Sequence, residues 1–263
     1  MTSLSKSYIF IVLYSFAFNI HAHEYHEAEY TNEKYLNNGN IHNIHRGRKE
    51  IILTIDDGPT AGVTNKILDA LKKYGVKATF FVTGKRVAGQ TAIMKRMRDE
   101  GHIVGNHTFS HAKIGDLNST QIKNEFLKSH RAVLPYSRNS TNYYFRAPGG
   151  NWKAVAAQVA NATSFGYRLK GPLYWDVGGS VKISGNSVIN AADWACWNRK
   201  RPATYLSVGR CLQGYINETT VKKGGVILFH DLNVKSAELI ERYVKYFKSR
   251  SDYSFVTLND ANL

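Results

Sequence analysis

Two adjacent carboxylates, Asp56 and Asp57, close the apolar run Ile51-Ile52-Leu53-Thr54-Ile55, and two imidazoles four positions apart, His107 and His111, follow another short apolar run. Side chains that neighbour each other at a strand end point different ways, so one aspartate can meet a metal while the other meets a water. Histidines four apart on a helical turn can face one ion. Joined by Asp57, they make a set of two imidazoles and one carboxylate, which fills three positions and leaves others open, as a catalytic zinc requires. An ion held in this way lowers the pKa of bound water towards about 7 and polarises a carbonyl, which is the chemistry of hydrolysis. Hydrolysis also needs a base for the water and an acid for the leaving group. Asp56 reads as the base. His230, at the end of Val226-Ile227-Leu228-Phe229, reads as the acid because an imidazole titrates near neutrality. Arg146 could keep Asp56 ionised and oriented through a two-point guanidinium contact.

Taken singly, each of these signals is weak. An Asp before Gly58-Pro59 can simply cap a helix, and a lone His is more often a satisfied core residue than a catalyst. What strengthens them is their common place in the chain. Strand-like runs at Ile51–Ile55, Ala78–Val82, His102–Val104, Tyr143–Phe145, around Leu173–Trp175, Val226–Phe229 and Phe255–Leu258 alternate with amphipathic segments. Helical faces are marked by Ile67, Leu68 and Leu71, by Ile93, Met94 and Met97, and by Ile122, Phe126, Leu127 and Leu134 behind the caps at Asn118-Ser119-Thr120. Further helices are expected at about 152–165 and 235–248. Such alternation implies right-handed βαβ units and a parallel sheet or barrel. Asp56 and Asp57, Asn106 and His107, Arg146, and His230 and Asp231 all fall just after strands, the edge where active sites form in parallel α/β folds.

Taken together and in order, Thr54-Ile55-Asp56-Asp57-Gly58-Pro59, His107-Thr108-Phe109-Ser110-His111, Arg146-Ala147-Pro148-Gly149-Gly150, Asp193-Trp194 and Leu228-Phe229-His230 resemble the five motifs of the polysaccharide deacetylases, the NodB-homology domain of carbohydrate esterase family 4. The resemblance covers about Glu50 to the C-terminus. It implies an α/β fold, a distorted (β/α)7 barrel forming a single catalytic domain, and one divalent metal, usually zinc, with cobalt, nickel or manganese as substitutes. Its implied ligands are Asp57, His107 and His111, its base Asp56 and its acid His230. Arg146 would orient Asp56, Asp193 would tune His230, Leu228 would line the acetyl pocket, Trp194 would wall the groove, and the Gly149 N–H would receive the oxyanion. Three departures stand out. Ile55 replaces the usual Phe, Gly149 stands where an aromatic residue is common, and a longer segment separates Trp175-Asp176-Val177 from Asp193-Trp194, leaving both Asp176 and Asp193 open as the tuning residue.

The remaining expectations concern the chain as a whole. Residues 1–22 carry one charge, Lys6, before an apolar run from Tyr8 to Ile20, the layout of a secretory signal peptide rather than of a membrane span. Residues 23–49 form a polar, His- and Asn-rich linker, and 50–263 the catalytic domain. The product is expected to be secreted, or periplasmic at the cell envelope, with no stable membrane insertion after cleavage. Cys196 and Cys211 lie in one loop-rich region, and export favours a disulfide between them. The formal net charge of +15 suggests an anionic neighbour. No block of basic residues interleaved with aromatics argues for nucleic acid, and no nucleic-acid partner is expected. The expected partner is a polysaccharide, peptidoglycan N-acetylglucosamine ranking first and chitin or its oligomers second. Asn118, Asn139, Asn161 and Asn217 open glycosylation sequons that matter only in a glycosylating host. The rival readings are a carbohydrate-binding protein with a degenerate site and a basic surface- or nucleic-acid-binding protein.

Overall fold

The computed structural model describes residues 47–137, 143–164, 169–200 and 202–260. The expected signal peptide, nearly all of the expected linker and the Asn139 sequon lie outside the described residues.

Strand β1 (Glu50–Asp56) is buried along almost its whole length, as its unbroken apolar run dictates. Helix α1 (Val63–Tyr74) buries Ile67, Leu68 and Leu71 and stops at Gly75, whose φ of 64° supplies the left-handed cap. Then follow β2 (Thr79–Val82), α2 (Thr91–Asp99), β3 (Ile103–Asn106) and α3 (Ser119–Val133). A reciprocal capping box starts α3, with Asn118 accepting from the Gln121 N–H and Gln121 from the Asn118 N–H, both at 3.0 Å. Strand β4 (Tyr143–Tyr144), helix α4 (Ala154–Asn161) and strand β5 (Leu169–Lys170) come next. A hairpin of β6 (Lys182–Ser184) and β7 (Ser187–Asn190) precedes α5 (Val208–Lys222), β8 (Gly224–His230), α6 (Val234–Lys248) and β9 (Ser254–Val256).

The strands run β3-β2-β1-β8, all parallel, with β9 beside the first half of β1. The circuit continues from β3 to β4 through a bridge between Asn106 and Phe145, then from β4 to β5, and Val177 returns it to β8 by pairing with Ile227. The architecture is α/β, a distorted (β/α)7 barrel, as expected. Side-chain alternation divides its core in two. Ile52, Phe81, Tyr144, Leu173, Val226 and Leu258 cluster inside the ring, while a larger cluster packs the outer strand faces against the helices.

Several expected boundaries shift. The strand expected around Leu173–Trp175 lies earlier, at Leu169–Lys170, because the Gly171-Pro172 pair interrupts the run. Leu173 still donates to the Phe145 carbonyl at 2.8 Å. The helix expected at 152–165 is confined to 154–161. The loop-rich region around the cysteines is corrected more strongly, since it contains the β6–β7 hairpin and the whole of α5. Cys211 sits on α5 and is disulfide-bonded to Cys196 in the turn Asp193–Cys196.

Candidate metal centre and catalytic site

Parallel pairing does most of the positioning. In the ladder Asp56 stands beside Phe81 of β2 on one side and His230 of β8 on the other. Residues two apart share a face, so Thr54 and Asp56 on β1, and Leu228 and His230 on β8, rise from the ring interior above Ile52 and Val226. After Asp56 the chain turns sharply, and Asp57 has φ 85°. The next residue must be glycine, since a Cβ on Gly58 would lie 1.9 Å from Asp231 Oδ2. That carboxylate also accepts from Thr64 Oγ1 at 2.6 Å. Burial, with the Asp57 charge adding, raises Asp231 to about 7, against the hydrogen bond from Thr64.

His107 follows β3 directly and donates its backbone N–H to Val82 O. Its Nδ1 lies 2.8 Å from the Arg146 carbonyl. A carbonyl only accepts, so Nδ1 carries the proton and Nε2 presents a bare lone pair. That Nε2 is 3.3 Å from Asp57 Oδ1, and His111 Nε2 is 3.0 Å from the same oxygen. The three ligand atoms of Asp57, His107 and His111 all lie within 4.8 Å of one another. Asp57 Oδ1 is buried and accepts no well-formed hydrogen bond, so the three groups aim at a common point rather than at each other. An anionic carboxylate and two imidazole lone pairs fit a divalent ion of the zinc class.

Asp56 lies on the flank of this triad, its Oδ2 3.8 Å from His107 Nε2. Its other oxygen, Oδ1, accepts from Arg146 Nη1 at 2.8 Å. Arg146 is fully buried and donates further to Thr54 Oγ1 at 2.8 Å, Leu173 O at 3.0 Å and Tyr174 O at 2.9 Å. The guanidinium also lies over the Phe81 ring, 4.4 Å from its centroid. The two-point contact expected between Arg146 and Asp56 is therefore a single bond, because Thr54 takes a second Nη1 bond and the carbonyls of Leu173 and Tyr174, just after β5, draw Nε and Nη2.

His230 is held from the other side. Its Nδ1 is 2.7 Å from Asp193 Oδ1, and its backbone N–H donates to Asp193 Oδ2 at 2.9 Å. Ser236 Oγ adds a 2.6 Å bond to Asp193 Oδ2 and itself receives Trp197 Nε1 at 3.0 Å. Burial works to lower the His230 pKa, but Asp193, with Asp57 and Asp56 behind it, raises it to about 10. Of the two aspartates left open by the sequence, Asp193 faces His230. Asp176 accepts from the Val226 N–H at 2.8 Å, four residues back along β8.

The other candidates fall around this edge. Leu228 is buried on the His230 face of β8. Gly149 has φ 62°, and a Cβ there would meet nothing within 4 Å. Trp194 is half-buried in the turn that carries Asp193 and packs on the outer core. Thr54, Ser236 and Trp197 escape sequence reasoning, though a hydroxyl inside the apolar run of β1 was a usable sign for Thr54. Ser236 and Trp197 left none.

Residues 43–168 match the family model described as polysaccharide deacetylase. The chain is 30% identical over 215 residues to the peptidoglycan-N-acetylmuramic acid deacetylase PdaA of Bacillus subtilis, covering 81% of this chain and 71% of that protein. It is 31% identical over 185 residues to a chitooligosaccharide deacetylase of Bradyrhizobium, covering 70% and 72%. Among solved structures, the Bc1960 peptidoglycan N-acetylglucosamine deacetylase aligns with TM-score 0.61 at 26% identity, over 82% of this chain and 89% of that one. With the barrel and the convergent side chains, these likenesses show that the chain belongs to the polysaccharide deacetylase family.

Proposed function

We propose that the protein is a metal-dependent hydrolase that removes the N-acetyl group from N-acetylglucosamine units of a polysaccharide, with peptidoglycan as first substrate and chitin-type oligomers as second. The observation that carries this reading is the convergence of Asp57, His107 and His111 on one point, with Asp56 beside it and His230 across the β1–β8 pair. Asp57, His107 and His111 would hold one divalent ion, zinc first and cobalt, nickel or manganese as substitutes. Such an ion supplies Lewis acidity to a carbonyl and acidifies water.

The chain's own residues supply the proton transfers. Asp56 is the general base, for Arg146 occupies its Oδ1 and Oδ2 remains on the side of the ligand set. His230, held as imidazolium by Asp193, is the general acid and protonates the departing amine from Nε2. Asp193 orients that ring through Nδ1. Leu228 lines the acetyl pocket, the Gly149 N–H receives the developing oxyanion, and Trp194 walls the groove.

Export through a signal peptide at residues 1–22, followed by the linker 23–49, would bring residues 50–263 to the cell envelope. No helix among the described residues is long and apolar enough to cross a membrane. A carbohydrate-binding protein with a dead site is the runner-up, and the full set of Asp56, Asp57, His107, His111, Arg146 and His230 speaks against it. Incubating zinc-loaded protein with acetylated muropeptides and, separately, with chitin oligomers tests the proposal by mass spectrometry. Loss of acetyl groups, abolished by a chelator and restored by zinc, is expected on the muropeptides first. Binding of either glycan with no acetyl loss would sink the enzymatic reading.

A further inference from the structure

The loop that carries both histidines is bent into conformations that ordinary residues avoid. Thr108 has φ 62° and His111 φ 65°, left-handed backbone that such residues hold only where the surroundings impose it. Its outer strand is pinned to the turn after β2, where Gly84 donates to Thr108 O at 2.9 Å and Lys85 to Phe109 O at 2.8 Å. Its inner side faces α3. There Glu125 accepts from the Phe109 N–H at 2.9 Å and the Ser110 N–H at 2.8 Å through one oxygen, and from Ser110 Oγ at 2.8 Å through the other. One turn along the same helix face, Ser129 donates to Asn106 Oδ1 at 2.9 Å, and that oxygen also accepts the Thr108 N–H at 2.8 Å. The helix fits so closely that a Cβ on Gly84 would approach Phe109 and the Ser129 backbone to 3.0 Å.

We infer that Glu125 is a positioning residue for the metal centre: its carboxylate, outside the ligand set, fixes the backbone between His107 and His111 and thereby sets the affinity for the ion. The inference rests on the metal-binding reading above. His107 has its own anchor in the Arg146 carbonyl, whereas the His111 ring is 46% exposed and depends on the loop for its direction. Glu125 holds the two amides immediately before it. Being a hydrogen-bond acceptor is the whole of its role, so a neutral acceptor of the same length can serve.

The test is zinc affinity, measured with the metal ion alone by competition against a chromophoric chelator, on folded protein freed of metal beforehand. E125A is expected to weaken zinc binding by about 10–100-fold, the range typical of groups that orient metal ligands. E125D, whose carboxylate is withdrawn by one methylene, is expected to lose about tenfold and keeps the measurement decisive where E125A does not fold. E125Q is expected to stay within about threefold of the parent, because its amide oxygen can accept both N–H groups. Wild-type affinity in folded E125A or E125D overturns the inference, and so does a loss in E125Q equal to that in E125A, which would assign the effect to charge. A parent protein that binds no zinc would instead bring down the metal reading itself, an outcome separable from the others. Melting of the metal-free variants distinguishes a purely structural role, which would lower their melting temperature and leave the affinity of the folded form unchanged.

Discussion

At the scale of single residues, two adjacent aspartates meet different neighbours because the turn after β1 throws them apart. Asp57, at φ 85°, faces both imidazoles, while Asp56 keeps its ladder position and its bond to Arg146. Removing the charge from each should therefore have separable effects. D56N is expected to keep zinc stoichiometry and lower kcat by about 10²–10⁴-fold, the usual share of a positioned base, whereas D57A should lose the ion. Metal content and rate measured on the same preparations decide this, and a D56N enzyme of parental rate would end the assignment of Asp56. His230 gives a prediction in pH. An acid must be protonated to act, and with its pKa raised to about 10 His230 stays charged through neutrality and loses its proton as pH climbs. Asparagine at position 193 still accepts the Nδ1–H but removes the charge that raises the pKa. D193N should therefore shift the alkaline limb of kcat down by more than one pH unit, towards the ordinary imidazole range, and leave the acid limb in place. An unmoved alkaline limb would show that another group sets it.

At the scale of elements, the segment between β5 and β8 joins a covalent link to the edge where the polar side chains gather. The disulfide ties α5 to the turn Asp193–Cys196, and that turn carries the partner of His230. Replacing both cysteines by serine removes a loop constraint over a separation of 15 residues, worth about 3 kcal/mol by loop entropy. The double variant should unfold at correspondingly lower denaturant and lose kcat more than zinc affinity, because the proposed metal ligands sit on other elements. Equal losses in both would contradict that division. The same segment marks the limit of what could be read beforehand. Parallel strands buried on both faces announce themselves as apolar runs, which is why β1, β2 and β8 were legible to within a residue or two. Helix α5 was not, since its buried face is built from Cys211, Gly214, Tyr215 and Thr219 rather than from aliphatic residues, and its periodicity is faint. The polar residues at strand ends were visible for the opposite reason, each breaking a hydrophobic pattern at one common edge. Ser236, Trp197 and Glu125 break no pattern. They acquire meaning only when α6, the Asp193 turn and α3 pack beside the site.

At the scale of the whole molecule, the formal charge of +15 understates how positive the outside is. Asp56, Asp57, Asp176, Asp193 and Asp231 are buried within the barrel region, and among the buried charged side chains of the described residues Arg146 is the one cation. With Asp231 about half protonated near neutrality, four formal carboxylate charges and part of a fifth are withdrawn from the surface against the cation of Arg146 and the imidazolium of His230. Exposed ion pairs such as Lys73–Glu241 and Arg242–Glu238 engage several of the acids that remain. A field of this sign attracts polyanions over a distance set by salt, and the screening length falls from about 10 Å at about 0.1 M to about 3 Å at about 1 M. An anionic wall glycan should feel it, and an uncharged chitin oligomer should not. Across that salt range KM for wall glycan is expected to rise several-fold with kcat nearly constant, while KM for the chitin oligomer stays level. Because the catalytic groups are buried and paired, screening should reach them little, so a fall in kcat on both substrates would point to damage at the site. Parallel, salt-insensitive KM values would remove the electrostatic argument for a wall substrate and leave the neutral glycan as the better candidate.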